Sequence, residues 1–147
     1  MERTVTGVTE RSPLFSSVRM DWATPMNLFH DLHAEFAFTL DVCASPSNAC
    51  LPRYLTESDE ALLRPWTGER VWLNPPYGRQ VRRWIEKAWT EAPSADLIVA
   101  LVASRTDTAW FHDYALRADE IRFIRGRLHF DEHSNPATFP SCLVVWR

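Results

Sequence analysis

Leu97-Ile98-Val99-Ala100-Leu101-Val102 is an unbroken aliphatic run, and no other stretch of the chain restricts the fold so sharply. It is far shorter than the roughly 20 residues of a membrane span. It also lacks the apolar-polar alternation of a strand with one wet face. Strands that read this way are buried on both faces, as in parallel sheets covered by helices. The run sits among alternating elements. Met26, Leu28, Phe29 and Leu32 continue an amphipathic helix, with Thr24 as its predicted N-cap and Pro25 at its first position. Phe36 to Val42 reads as a short strand and Tyr54 to Pro65 as mostly irregular, with one helical turn at Asp59 to Leu63. Arg70 to Leu73 reads as a second core strand, and Arg79 to Glu91 as a helix with Val81, Trp84, Ile85, Ala88 and Trp89 on one face. Thr108 to Arg117 then predicts a helix, Ile121 to Ile124 a strand and Ser141 to Trp146 the last strand. The order predicts an α/β fold with a mostly parallel sheet and an antiparallel pair at its C-terminal edge.

Length and composition bound the rest. A chain of 147 residues predicts one domain, here residues 20–147, preceded by a polar, Thr/Ser-rich tail over residues 1–19. A hydrophobic content of 46% with 24% charged residues excludes a disordered chain. The N-terminus carries no apolar stretch of the signal-peptide kind, which predicts a cytoplasmic protein that does not engage a membrane. Cys43, Cys50 and Cys142 form no CxxC pair and are expected to be reduced thiols. No cysteine or acidic cluster joins the histidines, so no metal site is expected. The net charge of −3 argues against broad capture of nucleic acid. Its distribution says something different. Lys87 is the single lysine, and arginines gather at Arg79, Arg82, Arg83 and at Arg122, Arg125, Arg127. These clusters read either as solvated faces or as forks for phosphates and base edges.

The chemistry concentrates where the second core strand ends, in Asn74-Pro75-Pro76-Tyr77. Two consecutive prolines remove two backbone donors, and their rings hold φ near −65°. The carbonyls there are therefore barred from a helix or a sheet ladder. A side-chain amide, a rigid carbonyl and an aromatic ring share one small space. Such a turn suits accepting hydrogen bonds from a planar amine while the ring stacks on the group that bears it. Methyl transfer to an exocyclic or amide nitrogen requires that arrangement. In open α/β sheets ligands sit at the carboxyl ends of the strands. There the turn would meet Asp41 and the small-residue loop with Ala44 and Ser45, although no GxGxxG occurs in the chain.

Three segments in this order, Asp21-Trp22-Ala23-Thr24-Pro25, Leu40-Asp41-Val42-Cys43-Ala44 and Val71-Trp72-Leu73-Asn74-Pro75-Pro76-Tyr77, resemble the phage-type, Dam-like DNA N6-adenine methyltransferases. The likeness continues through Ser104 to His112, Gly126 to Phe130 and Phe139-Pro140-Ser141. It implies a Rossmann-like class I methyltransferase sheet, S-adenosylmethionine as cofactor and DNA as substrate. It also implies that Trp22, Thr24, Pro25, Asp41 and Ala44 belong to the cofactor site, Ser45 lying in the same loop. Asn74, Pro75, Pro76 and Tyr77 match the catalytic motif. Asp59 reads either as a partner of the cofactor's adenine amine or as a solvated loop carboxylate. Arg79, Arg105 and Arg127 are the candidate DNA contacts, with Thr106 or Asp107 as a cap of the following helix. Trp84 and Trp89 read as core, and Trp66 and Trp72 as core or pocket lining.

Adenine's exocyclic amine is a poor nucleophile because its lone pair is delocalised into the ring. Hydrogen bonds to the Asn74 side-chain oxygen and the Pro75 carbonyl would free that pair, with the base flipped out of the duplex onto Tyr77. No side chain need act as a strong base. The same turn also suits methylation of guanine in RNA or of glutamine in protein, and a non-catalytic nucleic-acid-binding domain is a third reading.

Overall fold

In the computed structural model, which describes residues 24–129 and 136–147, the aliphatic run becomes a seven-residue strand buried at every position. The 1–19 tail and residues 20–23, Trp22 among them, lie outside the described residues. In chain order the elements are α1 (Met26–Phe36), β1 (Leu40–Asp41), β2 (Arg70–Leu73), α2 (Val81–Glu91), β3 (Leu97–Ala103), α3 (Ala109–Asp113), β4 (Glu120–Phe123) and β5 (Ser141–Trp146). They form a mixed α/β fold around a five-stranded sheet of order β1-β2-β3-β5-β4. β1, β2 and β3 pair in parallel, whereas β5 is antiparallel to both β3 and β4. The antiparallel pair predicted at the C-terminal edge is present. β5 lies inside that pair, so β4 alone forms the edge.

Period-two alternation along β3 divides the core into two layers. Ile98, Ala100 and Val102 pack with Val81, Trp84 and Ile85 of α2 and with Trp110 and Phe111 of α3. Leu97, Val99, Leu101 and Ala103 face the other way, toward Phe29, Leu32 and Phe36 of α1, together with Ala137 and Phe139. Fully burying one such aliphatic side chain is worth about 1.5–3 kcal/mol. The sheet is therefore a closely packed platform from which the loops at its carboxyl edge depart. Trp72 belongs to the α1 layer, while its neighbours Val71 and Leu73 belong to the α2 layer.

Local readings fail where tertiary packing outweighs them. Phe36 ends α1 and does not open a strand, because it stands seven residues after Phe29 on the buried stripe of the helix. Ala37, in the left-handed region at φ 52°, closes the helix by donating its N–H to the His33 carbonyl. β1 is accordingly only Leu40–Asp41. Thr24 does not cap α1; Pro25 occupies the N-cap position without a side-chain cap. The irregular segment holds two 3-10 turns, Glu57–Asp59 and Ala61–Leu63. Thr108, and neither Thr106 nor Asp107, caps α3 by accepting from the Phe111 N–H. α3 stops at Asp113, where Tyr114 leaves helical geometry; its ring lies against Trp89, and a 3-10 turn follows. Trp89 is 41% exposed and not core, whereas Trp66 and Trp72 are wholly buried. Trp66 lines no opening: its indole N–H donates to the Ala61 carbonyl within the core.

Candidate active site

The parallel register places Leu40 opposite Val71 and Asp41 opposite Trp72. Asp41 and Asn74 therefore leave adjacent strands at the same edge of the sheet. This is the juxtaposition expected from the alternation of elements, and the strand pairing accounts for it.

Asp41 is buried, and the small-residue loop wraps around it. One carboxylate oxygen accepts from the Cys43 N–H at 3.3 Å and the other from the Cys50 N–H at 3.0 Å. Its backbone is held as well, with the Leu55 N–H donating to the Asp41 carbonyl at 2.8 Å. Burial pushes the carboxyl up to about 6, against the opposing pull of the Cys50 and Cys43 amides. Ala44 donates its N–H to the Leu55 carbonyl, and Ser45 donates its N–H to the Asn48 side-chain oxygen. Both are half-buried beside Asp41. Asp59 is occupied locally: its carboxylate accepts from the Thr56 N–H at 2.8 Å and the Thr56 hydroxyl at 2.9 Å, which hold its carboxyl below the ordinary range.

The turn at the end of β2 is mostly covered. Asn74 and Tyr77 are each 9% exposed, Pro75 is buried and Pro76 is half-buried. The Asn74 Nδ2 donates to the Thr24 hydroxyl at 3.1 Å, and the Trp72 indole donates to the same oxygen at 3.2 Å. Thr24 is thus a partner of the turn, a role that no local pattern suggested. Its neighbour Pro25 uses its carbonyl to accept the Phe29 N–H. The Tyr77 ring packs against Phe139 at 5.1 Å with the planes tilted by 55°, and burial pushes the phenol far above its ordinary range. Gly78, at φ 93°, adopts a conformation that side chains disfavour, and it turns the chain toward α2.

Phe139 also gathers the arginines. The exposed Arg105 guanidinium lies over its ring at 5.6 Å from the centroid. Arg127, also exposed, donates to the Ala137 carbonyl at 3.4 Å. Two of the three candidate DNA contacts therefore converge on the segment that packs against Tyr77. Arg79, exposed, directly follows Gly78. Arg122 is committed elsewhere: Glu35 and Glu120 hold it in ion pairs at 2.6 Å, and it lies over the Phe36 ring. Phe139 was not a predicted site residue. Its signal was present in Phe139-Pro140-Ser141, one of the segments that carry the resemblance, where the chain enters the last strand.

Residues 11–147 match the family model described as DNA N-6-adenine-methyltransferase (Dam). The chain belongs to this Dam family. It is 31% identical over 121 residues to the DNA N-6-adenine-methyltransferase of Escherichia phage T1. The aligned stretch is 81% of this chain and 50% of that relative, so the chain spans about half the length of the relative it matches. Among the described residues of this Dam family member, no helix is long and apolar enough to cross a membrane. No group of three or more His, Cys, Asp or Glu among them could hold a metal ion. None of the three cysteines is in a disulfide.

Proposed function

We propose that this protein is an S-adenosylmethionine-dependent methyltransferase of the exocyclic N6 amine of adenine in DNA, built on a Rossmann-like class I sheet and acting in the cytoplasm. One observation carries the reading: Asn74, buried at the carboxyl end of β2 next to Asp41, in a chain of the Dam family.

The residues at the edge fit the cofactor. A carboxylate can accept roughly four hydrogen bonds, so the two backbone donors at Asp41 do not exhaust it. Its burial makes any added hydroxyl or ammonium donor favourable, because the charged form lacks solvent. Asp41, Ala44 and Ser45 would hold the cofactor together with Trp22 and Pro25, and Asp59 would lie farther out. When bound, S-adenosylmethionine supplies an electrophilic sulfonium methyl.

The chain's own residues handle the amine. The Asn74 side-chain oxygen and the Pro75 carbonyl accept its two protons as hydrogen bonds and draw the nitrogen toward tetrahedral geometry. A buried amide and a proline-locked carbonyl need little reorganisation, which is the main source of such stabilisation. The target base is extruded from the duplex to reach this turn. Tyr77 and Phe139 offer an aromatic wall for it, and stacking of a base on such a ring is worth about 1–3 kcal/mol. Arg79, Arg105 and Arg127 contact DNA phosphates around the opening. The sheet and the two wholly apolar layers keep water from the buried side of the turn.

The test is methylation of unmethylated DNA, with RNA and protein in parallel, followed by mass spectrometry of the nucleosides and amino acids. N6-methyladenine from DNA alone supports the reading. Methylguanine from RNA or methylglutamine from protein would replace the substrate and keep the fold and turn.

A further inference from the structure

The Thr24 hydroxyl has a full set of partners, and their chemical identities determine the orientation of Asn74. A hydroxyl donates one hydrogen and accepts two. The Trp72 indole, which can only donate, takes one lone pair at 3.2 Å. The Thr24 hydroxyl is also a hydrogen-bond partner of the Cys50 thiol, held in place by the backbone bond from Cys50 to Asp41. With its proton directed to sulfur, the remaining lone pair requires a donor. The Asn74 Nδ2 occupies that place at 3.1 Å.

A side-chain amide carries its nitrogen and oxygen in one plane, on opposite sides of the Cβ–Cγ axis. Reversing it would set the Asn74 oxygen against an oxygen already committed as an acceptor. It would also point an NH2 group at the amine to be methylated, donor against donor. We infer that Thr24 is a positioning residue for the acceptor site: by accepting from Trp72 and Asn74 together, it turns the Asn74 oxygen toward the substrate amine. The inference rests on the role given to Asn74 above. It assigns Thr24 to the acceptor side of the site and not to direct contact with cofactor, and it ties the turn to the Asp41 loop through Cys50.

Thr24→Val keeps the shape of the side chain and removes the hydroxyl. Its kcat for adenine methylation is expected to fall about tenfold, equivalent to about 1.4 kcal/mol, with the Kd for S-adenosylmethionine essentially unchanged. Thr24→Ser restores most of the kcat, because serine supplies the same oxygen. Unchanged kcat in Thr24→Val overturns the inference, and so does a loss confined to cofactor Kd. The valine leaves two buried donors unmet and can lower stability. A second measurement therefore uses the wild-type protein. Amide C=O and C–N bonds differ by about 0.1 Å, and an atomic-resolution crystal structure distinguishes them. Asn74 oxygen found against Thr24 overturns the inference whatever the variant does. Wild-type protein that methylates no adenine overturns the proposed function and this inference with it. Active wild type with an equally active Thr24→Val overturns this inference alone.

Discussion

Asn74 donates its side-chain amide to the Thr24 hydroxyl across 3.1 Å, a bond between residues 50 apart in sequence. It joins the segment entering α1 to the turn leaving β2, and it makes the proposed acceptor site a product of the tertiary fold. The tetrapeptide supplies the amide, the carbonyl and the ring. Their orientation comes from residues outside it.

Replacing that amide should have a larger effect than any other change in the turn. Asn74→Ala is expected to lower kcat by more than about 100-fold, the usual scale for losing one preorganised polar group at a reacting centre. Cofactor affinity should persist, since Asp41 and its loop are held by their own backbone bonds. Labelled methyl transfer and calorimetry on the same preparation separate the two quantities. An active Asn74→Ala protein sinks the mechanism.

Tyr77 should act through its ring. The phenol is buried and its ring rests on Phe139 at 5.1 Å. Tyr77→Phe is expected to keep most activity, whereas Tyr77→Ala loses both the stacking surface and the packing on Phe139. An aromatic-to-alanine change in a packed site costs about 3–5 kcal/mol of stability. Activity per folded molecule, corrected by a denaturation curve, checks the pair. Equal losses in both variants would point to a hydroxyl role.

Residues whose role depends on burial alone were legible in the sequence, and those whose role depends on a distant partner were not. β2 runs from Arg70 to Leu73 and β5 from Ser141 to Trp146, as the patterns predict, because these strands are apolar wherever the sheet is covered. Phe36 was misread because a short aromatic and aliphatic stretch suits a strand and the end of a helix equally. Thr24 carries a local cap signature, yet its hydroxyl serves Trp72 and Asn74. Trp89 lies on the apolar stripe of α2 but in its last turn, where its ring meets Tyr114 and it stays 41% exposed. Arg122 looked like Arg127 in sequence. Only the fold brings Glu35 to one of them.

The buried carboxyl of Asp41 should leave a trace in the pH dependence of stability. Its folded pKa of about 6 lies above the ordinary 3.8 because burial disfavours the charge. The folded protein therefore binds this proton more tightly than the unfolded chain does. Stability from this group is fully present below the unfolded value and falls as pH rises toward 6, by about 3 kcal/mol at about 1.4 kcal/mol per unit. Asp41→Asn removes the titration, and the other carboxylates cancel when variant and wild type are compared. Urea unfolding across that window should show wild type losing stability relative to Asp41→Asn. A difference that is flat with pH overturns the assignment.

Arg105 and Arg122 should differ in one measurement despite their equal charge. Arg105 is exposed and its guanidinium lies over the face of Phe139, so it can reach a phosphate beside Tyr77. Arg122 is bound by Glu35 and Glu120, and extracting it would break both ion pairs, leaving Glu120 with Arg147. DNA affinity falls with salt because phosphate contacts release counterions, and each contact adds close to one to the slope. Arg105→Ala should weaken binding across sequences and reduce the slope of log K against log salt by about 1. Arg122→Ala should leave the slope unchanged, with at most a small loss of stability, since exposed ion pairs contribute about 0–1 kcal/mol each. The protein carries a net charge of −3, so a few local contacts must supply most of the electrostatic attraction. Fluorescence anisotropy on a labelled duplex at several salt concentrations measures both slopes. An unchanged slope in Arg105→Ala would remove Arg105 from the DNA face, and a reduced slope in Arg122→Ala would show that its ion pairs open on binding.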